Sequence, residues 1–468
     1  MNRIAALILL IFTCSGLKAQ QKPNVIFILA DDMGYGDLGA YGQKLIKTPN
    51  IDLLAQNGML FTQFYAGTSV CAPSRSSLMT GQHTGHTPIR GNYEIEPEGQ
   101  RPLPDSTMTI AKIFKNAGYI TGDFGKWGLG FVGSSGDPLN QGFDRFFGYN
   151  CQRQSHNYFP DHLWDNDQKV VLPNDFTALN QYAPELIQKQ ALKFIEANQT
   201  KPFFMYLSYT LPHAGLQLPA GNEVFEKYKA AFKEQPRAIP QKWDGKGYQP
   251  QAYPHAAYAA MVTILDTYVG QVIAKLKTLG LDKNTLIVFT SDNGPHREGG
   301  NDPDFFNSSG SLRGIKRSLY EGGMREPMIV SWPGVIQKGK RSNQTGAFWD
   351  FLPTFADLIK QPVPAAVDGI SILPTLVSKR KQQQHEYLYW EFHEDGGRQA
   401  IRKGKWKGVK NKANHAESAR WELYNLEADP AEKTDLAAGQ PDLIRQMEKI
   451  AAQAHRSSDV PEWNFNKN

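Results

Sequence analysis

The stretch NVIFILADD, residues Asn24–Asp32, joins six consecutive apolar residues to a pair of aspartates. A short apolar run that ends at turn residues is typical of a strand buried on both faces, as in a parallel sheet covered by helices. Open sheets of this kind bind their ligands at the carboxyl ends of the strands. The stretch therefore predicts a central strand that places Asp31 and Asp32 at a ligand site.

Four other apolar segments share this pattern and predict further buried, parallel strands. They are GYITGDF (Gly118–Phe124), PFFMYLSY (Pro202–Tyr209), TLIVFTS (Thr285–Ser291) and PMIVSW (Pro327–Trp332). The helical patterns between them are Thr48–Gly58, Ser106–Gly118, Ala183–Asn198 and Ala256–Gly280. Because strands alternate with helices, we expect an α/β fold in which a large, mixed and mostly parallel sheet is sandwiched by helices.

The chain changes character after residue 375. Three short strand-like pieces, HEYLYWEF, QAIRKGKWKGVK and WELYNL, are joined by polar turns and followed by a helical segment at 441–456. Strands followed by one helix predict a small C-terminal α+β subdomain with an antiparallel sheet. We expect the larger, catalytic domain to span residues 21–375 and the subdomain to span residues 376–468.

The first 20 residues have the features of a secretory signal peptide. Arg3 precedes the apolar run IAALILLIF, and small and polar residues lead to Ala19, a suitable last residue before cleavage. We therefore expect a secreted protein of a bacterial periplasm. Cys14 keeps one alternative open, a lipoprotein at an outer membrane. Since no later apolar run is long enough to cross a bilayer, we expect no transmembrane segment.

Composition and charge exclude several classes of protein. Hydrophobic residues make up 40% and charged residues 21% of the chain, as in ordinary globular proteins. The formal net charge of +5 is small and dispersed, which argues against nucleic acid as a partner but allows a local pocket for a small anion. Beyond the signal peptide the cysteines are Cys71 and Cys151, and a disulfide between them is left open.

Polar side chains follow four of the predicted strands, and one edge of a parallel sheet would bring them together. In chain order these are Asp31 with Asp32, then Lys126, then His213, then Asp292 with Asn293. Three carboxylates and one amide offer only oxygen atoms, which suit Ca²⁺ or Mg²⁺ better than zinc. A divalent cation would also relieve the repulsion between the carboxylates. The sequence therefore predicts a site for a hard cation.

A set of cationic side chains complements these oxygen donors. Its members are Arg75, Lys126, His213 and Lys316. Lysine and arginine beside a divalent cation provide the positive charge and hydrogen-bond donors that bind an anionic ester. These residues therefore predict a site for an anionic ester.

With these residues assembled, the sequence resembles a known enzyme family. CAPSR (Cys71–Arg75) fits the pattern C-x-P-x-R. Six further motifs occur in the family's order along the chain, the first of them before CAPSR: ADDMGYGDLGAYG, GKWGLG, LPHAG, SDNGPH, LRGIKRSLYEGGMREP and WELYNLEADPAEKTDLA. The family is that of the formylglycine-dependent sulfatases of the alkaline phosphatase superfamily, which includes bacterial arylsulfatases and N-acetylgalactosamine-sulfatase-like carbohydrate sulfatases. The resemblance covers nearly all of the chain after the signal peptide, and it implies an alkaline phosphatase-like fold and sulfatase activity.

The resemblance implies that Cys71 is oxidised to Cα-formylglycine by a formylglycine-generating maturation enzyme. An aldehyde beside a cation hydrates to a gem-diol, one hydroxyl of which can attack sulfur while the other later expels the sulfate. Pro73 and the residues after it also predict a helix that begins just past Cys71, whose dipole would favour an oxyanion.

The resemblance also assigns roles to the other site residues. The implied Ca²⁺ ligands are Asp31, Asp32, Asp292, Asn293 and the residue made from Cys71. Arg75 would hold the formylglycine, while Lys126 and Lys316 would bind sulfate oxygens. His213 would protonate the leaving oxygen, alone or with Lys316.

One position departs from the family pattern. The family has G-K-W-H-L-G where this chain has GKWGLG, so Gly128 replaces a histidine that is given the role of a base. We expect another base to substitute for it, with His213 as the candidate. We also expect Gly128 to leave space that a group of the substrate can enter.

The substrate is the part of the function that the sequence defines least. The segment Phe146–Asn166 is rich in aromatic, amide and histidine side chains, which suit a sugar pocket, and His156 and His296 are the candidate substrate contacts. The resemblance favours sulfated galactose or N-acetylgalactosamine from host or algal glycans. Two alternatives stay open: a phosphatase or phosphonate monoester hydrolase of the same superfamily, and a glycan-binding protein without activity.

Overall fold

The computed structural model describes residues 22–175, 179–239, 247–378, 380–415 and 417–465. The predicted signal peptide and Cys14 lie outside these residues. Within them, eleven strands form one mixed sheet. These strands are β1 (Asn24–Ala30), β2 (Met59–Tyr65), β5 (Ile120–Lys126), β6 (Arg145–Tyr149), β7 (His162–Asp165), β8 (Gln168–Val171), β9 (Phe203–Ser208), β10 (Thr285–Ser291), β11 (Arg325–Ser331), β12 (Lys340–Ser342) and β13 (Gly346–Ala347). Two short strands, β3 (Glu94–Ile95) and β4 (Gly99–Gln100), form a separate hairpin.

The large sheet has the order β12-β2-β11-β10-β1-β9-β5-β6-β7-β8, and β13 pairs with β2. Its centre is parallel, as predicted, because β10, β1, β9, β5 and β6 run in one direction. The predicted parallel direction of PMIVSW is wrong, since β11 is antiparallel to β10. The described chain between β10 and β11 contains only two four-residue α-helices. Without a long crossover helix the chain returns along the neighbouring strand from the same edge.

Strand β1 is buried on both faces, and its side chains alternate between two hydrophobic cores. Val25, Phe27 and Leu29 belong to one core, and Ile26 and Ile28 belong to the other. Helices supply the opposite wall of each core. These helices are α1 (Pro49–Gln56), α2 (Cys71–Thr80), α3 (Ile110–Asn116), α4 (Ala183–Ala197), α5 (Glu223–Phe232), α6 (Pro254–Thr278), α7 (Pro303–Phe306), α8 (Glu321–Met324), α9 (Phe351–Leu358), α10 (Leu373–Val377) and α11 (Pro441–Ala454), of which α11 belongs to the C-terminal part. The predicted α/β sandwich is confirmed.

Helix α6 is the one helix among the described residues that is long and apolar enough to cross a membrane. It packs against α1, α4 and α5, and 67% of its most apolar window is buried inside the protein. Burial of this kind is typical of the core helix of a large domain.

The C-terminal part contains the predicted antiparallel sheet and helix. Strands β14 (Leu388–Phe392), β15 (Arg398–Lys403), β16 (Trp406–Asn411) and β17 (Arg420–Asn425) pair in sequence order. One face of this sheet packs on the larger sheet through Trp390 and Tyr65 of β2, whose ring centroids lie 5.2 Å apart. The other face packs on α11. The domain boundary after residue 375 stays a prediction.

A buried ion cluster joins the C-terminal sheet to the larger domain. Lys407 Nζ on β16 lies 2.9 Å from Glu321 Oε1 and 3.0 Å from Glu432 Oε1, and all three side chains are inaccessible to solvent. Replacing Lys407 by methionine would leave two buried carboxyl groups without their shared cation. We therefore expect a loss of about 3–5 kcal/mol in the free energy of unfolding, measured by urea denaturation.

The pH dependence separates this electrostatic effect from lost packing. Burial raises the pKa of Glu432 to about 7, and loss of Lys407 should raise it further. A carboxyl with a raised pKa costs stability as pH rises, so Lys407→Met should be more destabilised at about pH 8 than at about pH 6. Lys405→Met is the matched control, because Lys405 is exposed two residues away, and it should change stability by less than about 0.5 kcal/mol. Equal losses in both variants would contradict the prediction.

Candidate active site

The polar residues predicted at the strand ends converge at one edge of the large sheet. Asp31 and Asp32 follow β1, His213 follows β9, and Asp292 and Asn293 follow β10. Lys126 is itself the last residue of β5, because that strand begins and ends two residues later than predicted. The structure therefore brings together the four clusters that the sequence predicted to meet.

Helix α2 brings Cys71 and Arg75 to the same edge. It begins at Cys71, after Val70 in an extended conformation, and Pro73 is tolerated because the first turn needs no N–H donor there. Residues four apart lie on one face of a helix, so Arg75 stands one turn behind Cys71. Cys71 Sγ lies 3.4 Å from Asp31 Oδ1, and the Arg75 guanidinium contacts Asp292. The predicted helix is present, and it begins at Cys71 itself rather than just past it.

Each of the three buried carboxylates has a buried cation as its partner. Lys126 Nζ lies 2.7 Å from Asp31 Oδ2, and Lys316 Nζ lies 2.6 Å from Asp32 Oδ2. Arg75 donates to Asp292 Oδ2 from Nε at 3.0 Å and from Nη2 at 2.8 Å. These six charges cancel, so a divalent cation bound to the carboxylates would leave an excess of positive charge. Such an excess is suited to an anionic ester.

The pKa values report the crowding of these acids. Burial and the neighbouring Asp31 raise the pKa of Asp292 to about 7. Burial also opposes ionisation of Asp31, but Lys126 and the other nearby cations outweigh it and hold the pKa of Asp31 well below its usual range. Burial and Asp31 raise the pKa of the Cys71 thiol well above its usual value. The neighbouring cations therefore lower the pKa of Asp31, but they do not offset the effect of burial on Asp292.

The donor set fits a hard divalent cation. Asn293 Nδ2 donates to Asp32 Oδ1 at 2.6 Å, which leaves Asn293 Oδ1 buried with no hydrogen-bond partner among the described residues. Asp31 and Asp292 present further buried carboxylate oxygens on neighbouring strands. An unpartnered amide oxygen beside three carboxylates is the chemistry that Ca²⁺ and Mg²⁺ prefer. Asp32, Asn293 and their neighbours would therefore hold such an ion.

Lys316 and His213 form a pair that can hold and transfer a proton. Lys316 Nζ donates to His213 Nε2 at 3.1 Å, while His213 Nδ1 faces the Ala214 carbonyl oxygen. Burial and Lys316 lower the pKa of His213, so the imidazole is neutral in the ligand-free protein. Burial opposes the charge on Lys316, but Asp32 outweighs it and raises the pKa of Lys316. The proton of the pair therefore resides on Lys316.

Aromatic rings surround His213. The half-buried ring of His156 stacks on it with a centroid distance of 4.6 Å and an interplanar angle of 5°. Tyr248 contacts both rings, at 5.1 Å from His156 and 5.8 Å from His213. Sequence analysis missed Tyr248, because it lies in a loop far from any strand end and its position depends on tertiary packing.

The other predicted substrate contact, His296, is also a neighbour of His213. Its ring centroid is 5.8 Å from that of His213, and the side chain is fully buried. Its Nε2 faces the Pro212 carbonyl oxygen at 3.3 Å, and its Nδ1 lies 3.3 Å from Glu298 Oε2. A direct contact between His296 and a substrate stays a prediction.

The structure corrects the expectation about Gly128 and answers the open question of a disulfide between Cys71 and Cys151. Gly128 was expected to leave open space, and this is wrong, because a Cβ atom at residue 128 would collide with the Gln152 carboxamide. The side chain of Gln152 fills the volume instead. The disulfide that the sequence left open between Cys71 and Cys151 does not form, since both cysteines are free and buried.

Comparisons with known proteins agree with this geometry. The family model described as Sulfatase matches residues 23–361, and the model described as N-sulphoglucosamine sulphohydrolase, C-terminal, matches residues 315–457. Arylsulfatase A of Homo sapiens is 31% identical over 94% of this chain and 89% of its own length. N-acetylgalactosamine-6-sulfatase of Rattus norvegicus is 32% identical over 80% of this chain and 70% of its own length.

The fold of this chain is similar to that of a solved structure. Ps i-CgsB in complex with k-i-k-neocarrahexaose matches with a TM-score of 0.77 and 30% identity, over 96% of this chain and 96% of that chain. The resemblance inferred from the motifs is confirmed by the family model, by the relatives and by the fold. The chain therefore belongs to the sulfatase family and is a sulfuric ester hydrolase.

Proposed function

We propose that the chain is an exported carbohydrate sulfatase that uses Cα-formylglycine made from Cys71 and a Ca²⁺ ion. One observation carries the proposal: three buried carboxylates and three buried cations meet beside Cys71, the first residue of helix α2. The formylglycine supplies a hydrated aldehyde as the nucleophile. The Ca²⁺ ion, when bound, supplies positive charge beside the reacting group.

Lys126 and Lys316 are the proposed binding groups for the sulfate. Both ammonium groups are buried and are already aligned by carboxylates within hydrogen-bond distance. Buried ammonium groups bind an anionic oxygen strongly, because no water competes for their hydrogens. Arg75 is the proposed positioning residue, since its guanidinium joins Asp292 to the Lys126 carbonyl oxygen at 2.7 Å.

His213 and Lys316 are the proposed source of the proton for the leaving oxygen. Because His213 Nδ1 is directed to a backbone carbonyl, its Nε2 faces Lys316 and the site. A proton held on Lys316 can reach the leaving oxygen directly or through His213 Nε2. The same imidazole, once neutral, is available as the base that replaces the histidine missing at Gly128.

The sugar is proposed to lie against the rings of His156 and Tyr248. Aromatic faces at the mouth of a polar site suit the apolar faces of a sugar ring. The relative from Rattus norvegicus is named for N-acetylgalactosamine, and Ps i-CgsB was solved with k-i-k-neocarrahexaose. These names support a sulfated sugar as the substrate, and we propose galactose or N-acetylgalactosamine from host or algal glycans. The proposed location, a bacterial periplasm or outer membrane, rests on the signal peptide and Cys14 predicted from the sequence.

A panel of sulfated monosaccharides tests the proposal. We expect full-length protein matured with a formylglycine-generating enzyme to release sulfate from galactose or N-acetylgalactosamine carrying a single sulfate, followed by ion chromatography. The corresponding sugar phosphates are the control, because a phosphatase or phosphonate monoester hydrolase would prefer them. Faster release of phosphate than of sulfate would contradict the proposal, and so would binding of sulfated sugars without turnover.

A further inference from the structure

A buried carboxamide next to the predicted active site has no partner. The Gln152 side chain is only 4% exposed, and neither Nε2 nor Oε1 has a hydrogen-bond partner among the described residues. Asn150, two residues earlier and 1% exposed, has an unpartnered Oδ1. Leaving such groups unsatisfied costs about 1–3 kcal/mol each. In a stable fold such groups are satisfied by an ordered water or by a ligand, and their position decides which of the two applies.

The unpartnered atoms lie on a segment that connects two parts of the active site. Lys126 ends β5, and two residues later Gly128 N donates to the Asn150 carbonyl oxygen at 2.9 Å. Gln152 Cδ would lie 2.9 Å from a Cβ at residue 128, so the carboxamide packs directly over the glycine. Four residues further on, His156 stacks on the His213 ring. Gln152 therefore packs on a residue two positions after Lys126 and precedes, by four positions, the histidine that stacks on His213.

The Gly128 backbone shows why this arrangement excludes other side chains. Gly128 has a φ of +72°, in the left-handed region that favours glycine. Any larger residue there would meet both this strain and the Gln152 side chain. Glycine at position 128 and glutamine at position 152 are thus a matched pair, in which the carboxamide occupies the space beside the active site.

The unpartnered atoms define the chemistry of the ligand group. Gln152 and Asn150 together present two acceptor oxygens, while Gln152 Nε2 presents donor hydrogens. A sulfate oxygen only accepts hydrogen bonds, so it would leave both acceptor oxygens unsatisfied and facing a negative charge. A hydroxyl group donates and accepts, and it can satisfy both kinds of atom at once. A neutral hydroxyl therefore fits this subsite better than the sulfate group does.

We propose that Gln152, supported by Asn150, is a specificity-determining residue that binds a ring hydroxyl of the sulfated sugar. The proposal rests on the carbohydrate sulfatase function proposed above and names one contact of its substrate. It assigns to the Gly128–Gln152 pair the recognition of the sugar rather than the chemistry at sulfur. A carboxamide neither gains nor loses a proton near neutral pH, so it cannot replace a catalytic base.

The test compares a sugar sulfate with an aryl sulfate that has no hydroxyl to offer. We expect Gln152→Leu to lower kcat/KM for the sulfated monosaccharide that the wild type hydrolyses best by at least about 10-fold more than for 4-nitrophenyl sulfate. Removing the recognised hydroxyl from the sugar should lower kcat/KM of the wild type by a similar factor and leave Gln152→Leu little changed. Equal losses on the sugar and aryl sulfates, or no loss on either, would overturn the inference.

Thermal stability provides a readout that a merely structural role would move. Leucine removes an unpartnered buried carboxamide, so Gln152→Leu should melt at the same temperature as the wild type or higher. Gln154→Leu is the matched control, because Gln154 Nε2 donates to the His162 carbonyl oxygen at 3.0 Å. That variant should melt lower and keep the ratio between the two substrates. A lower melting temperature for Gln152→Leu with an unchanged substrate ratio would overturn the inference.

Failure of the proposed function would look different from failure of this inference alone. If the wild type hydrolysed no sulfated sugar, the carbohydrate substrate would be wrong and the Gln152 contact would be wrong with it. If the wild type hydrolysed a sulfated sugar and Gln152→Leu kept the same preference for it over 4-nitrophenyl sulfate, only the Gln152 contact would be wrong.

Discussion

Replacing Cys71 by alanine should abolish sulfate ester hydrolysis, with a loss of about 10⁴-fold or more in kcat. Cys71 is the first residue of α2, and its Sγ lies 3.4 Å from Asp31 Oδ1, at the centre of the six buried charges. Alanine lacks the thiol whose oxidation would give the proposed formylglycine aldehyde, while it leaves the carboxylates, the lysines and the helix unchanged. Alanine is also a good helix former, so the fold should tolerate the change.

Cys151 is the matched control for this variant. Within the described residues it is the second buried free cysteine, and it lies on the segment after β6 rather than beside the six buried charges of the active site. Cys151→Ala should retain activity to within about 10-fold, because it removes only a small packed side chain. Residual activity of Cys71→Ala close to that of Cys151→Ala would show that another group is the nucleophile.

Comparing protein produced with and without the maturation enzyme shows whether formylglycine or the thiol is the active form of residue 71. Burial and Asp31 raise the pKa of the Cys71 thiol, so the unmodified side chain is a poor nucleophile. Protein produced without the maturation enzyme should therefore be as inactive as Cys71→Ala. Peptide mass spectrometry should show the aldehyde at position 71 and an unmodified cysteine at position 151. Equal activity with and without the maturation enzyme would contradict a formylglycine mechanism.

The central strands and the residues at their ends could be predicted because each depends on a local pattern. The strand Asn24–Ala30 is an uninterrupted apolar run, and the rule that places ligand sites at strand ends then applies to Asp31, Asp32 and Asp292. The direction of β11 could not be predicted in this way. An apolar run is the same in a parallel or an antiparallel strand, and the deciding feature is the absence of a crossover helix in the loop before it.

The substrate side of the site could be predicted only as a region. Phe146–Asn166 stands out by composition, yet composition does not distinguish Gln152, which packs over Gly128, from Gln154, which bonds to the His162 carbonyl oxygen. Tyr248 reaches the His156 ring from a distant loop. Such contacts join residues far apart in the sequence, so they depend on tertiary packing rather than on a local period.

Removing the proposed divalent cation should cost about 10³-fold or more in kcat/KM. Without the ion, the charges of Lys126 and Lys316 are neutralised by Asp31 and Asp32 at 2.7 and 2.6 Å, so the site has no excess positive charge to attract the sulfate. Chelation should therefore weaken substrate binding as well as turnover. EGTA treatment followed by mass spectrometry of bound metals and steady-state kinetics tests this. Added Ca²⁺ should restore activity better than Mg²⁺, because the crowded oxygen donors suit the larger ion.

Asp32→Asn tests the same site without chemical treatment. Asp32 has a φ of +62°, and asparagine tolerates this conformation as well as aspartate does, so the turn should be preserved while one ligand charge is lost. Asp123→Asn is the control. Asp123 is a buried carboxyl whose Oδ1 accepts from Ser208 Oγ at 2.8 Å, and burial raises its pKa to about 7, so an amide resembles its protonated form.

The two variants should differ in metal content as well as in rate. Asp32→Asn should need a higher Ca²⁺ concentration for half-maximal activity, whereas Asp123→Asn should bind Ca²⁺ like the wild type. Equal metal content and activity in both would show that Asp32 serves only to neutralise Lys316. Full activity of metal-free wild-type protein would contradict the proposed metal site itself. It would mean that the two lysines and Arg75 bind sulfate without help, and that the three carboxylates only stabilise those cations in the fold.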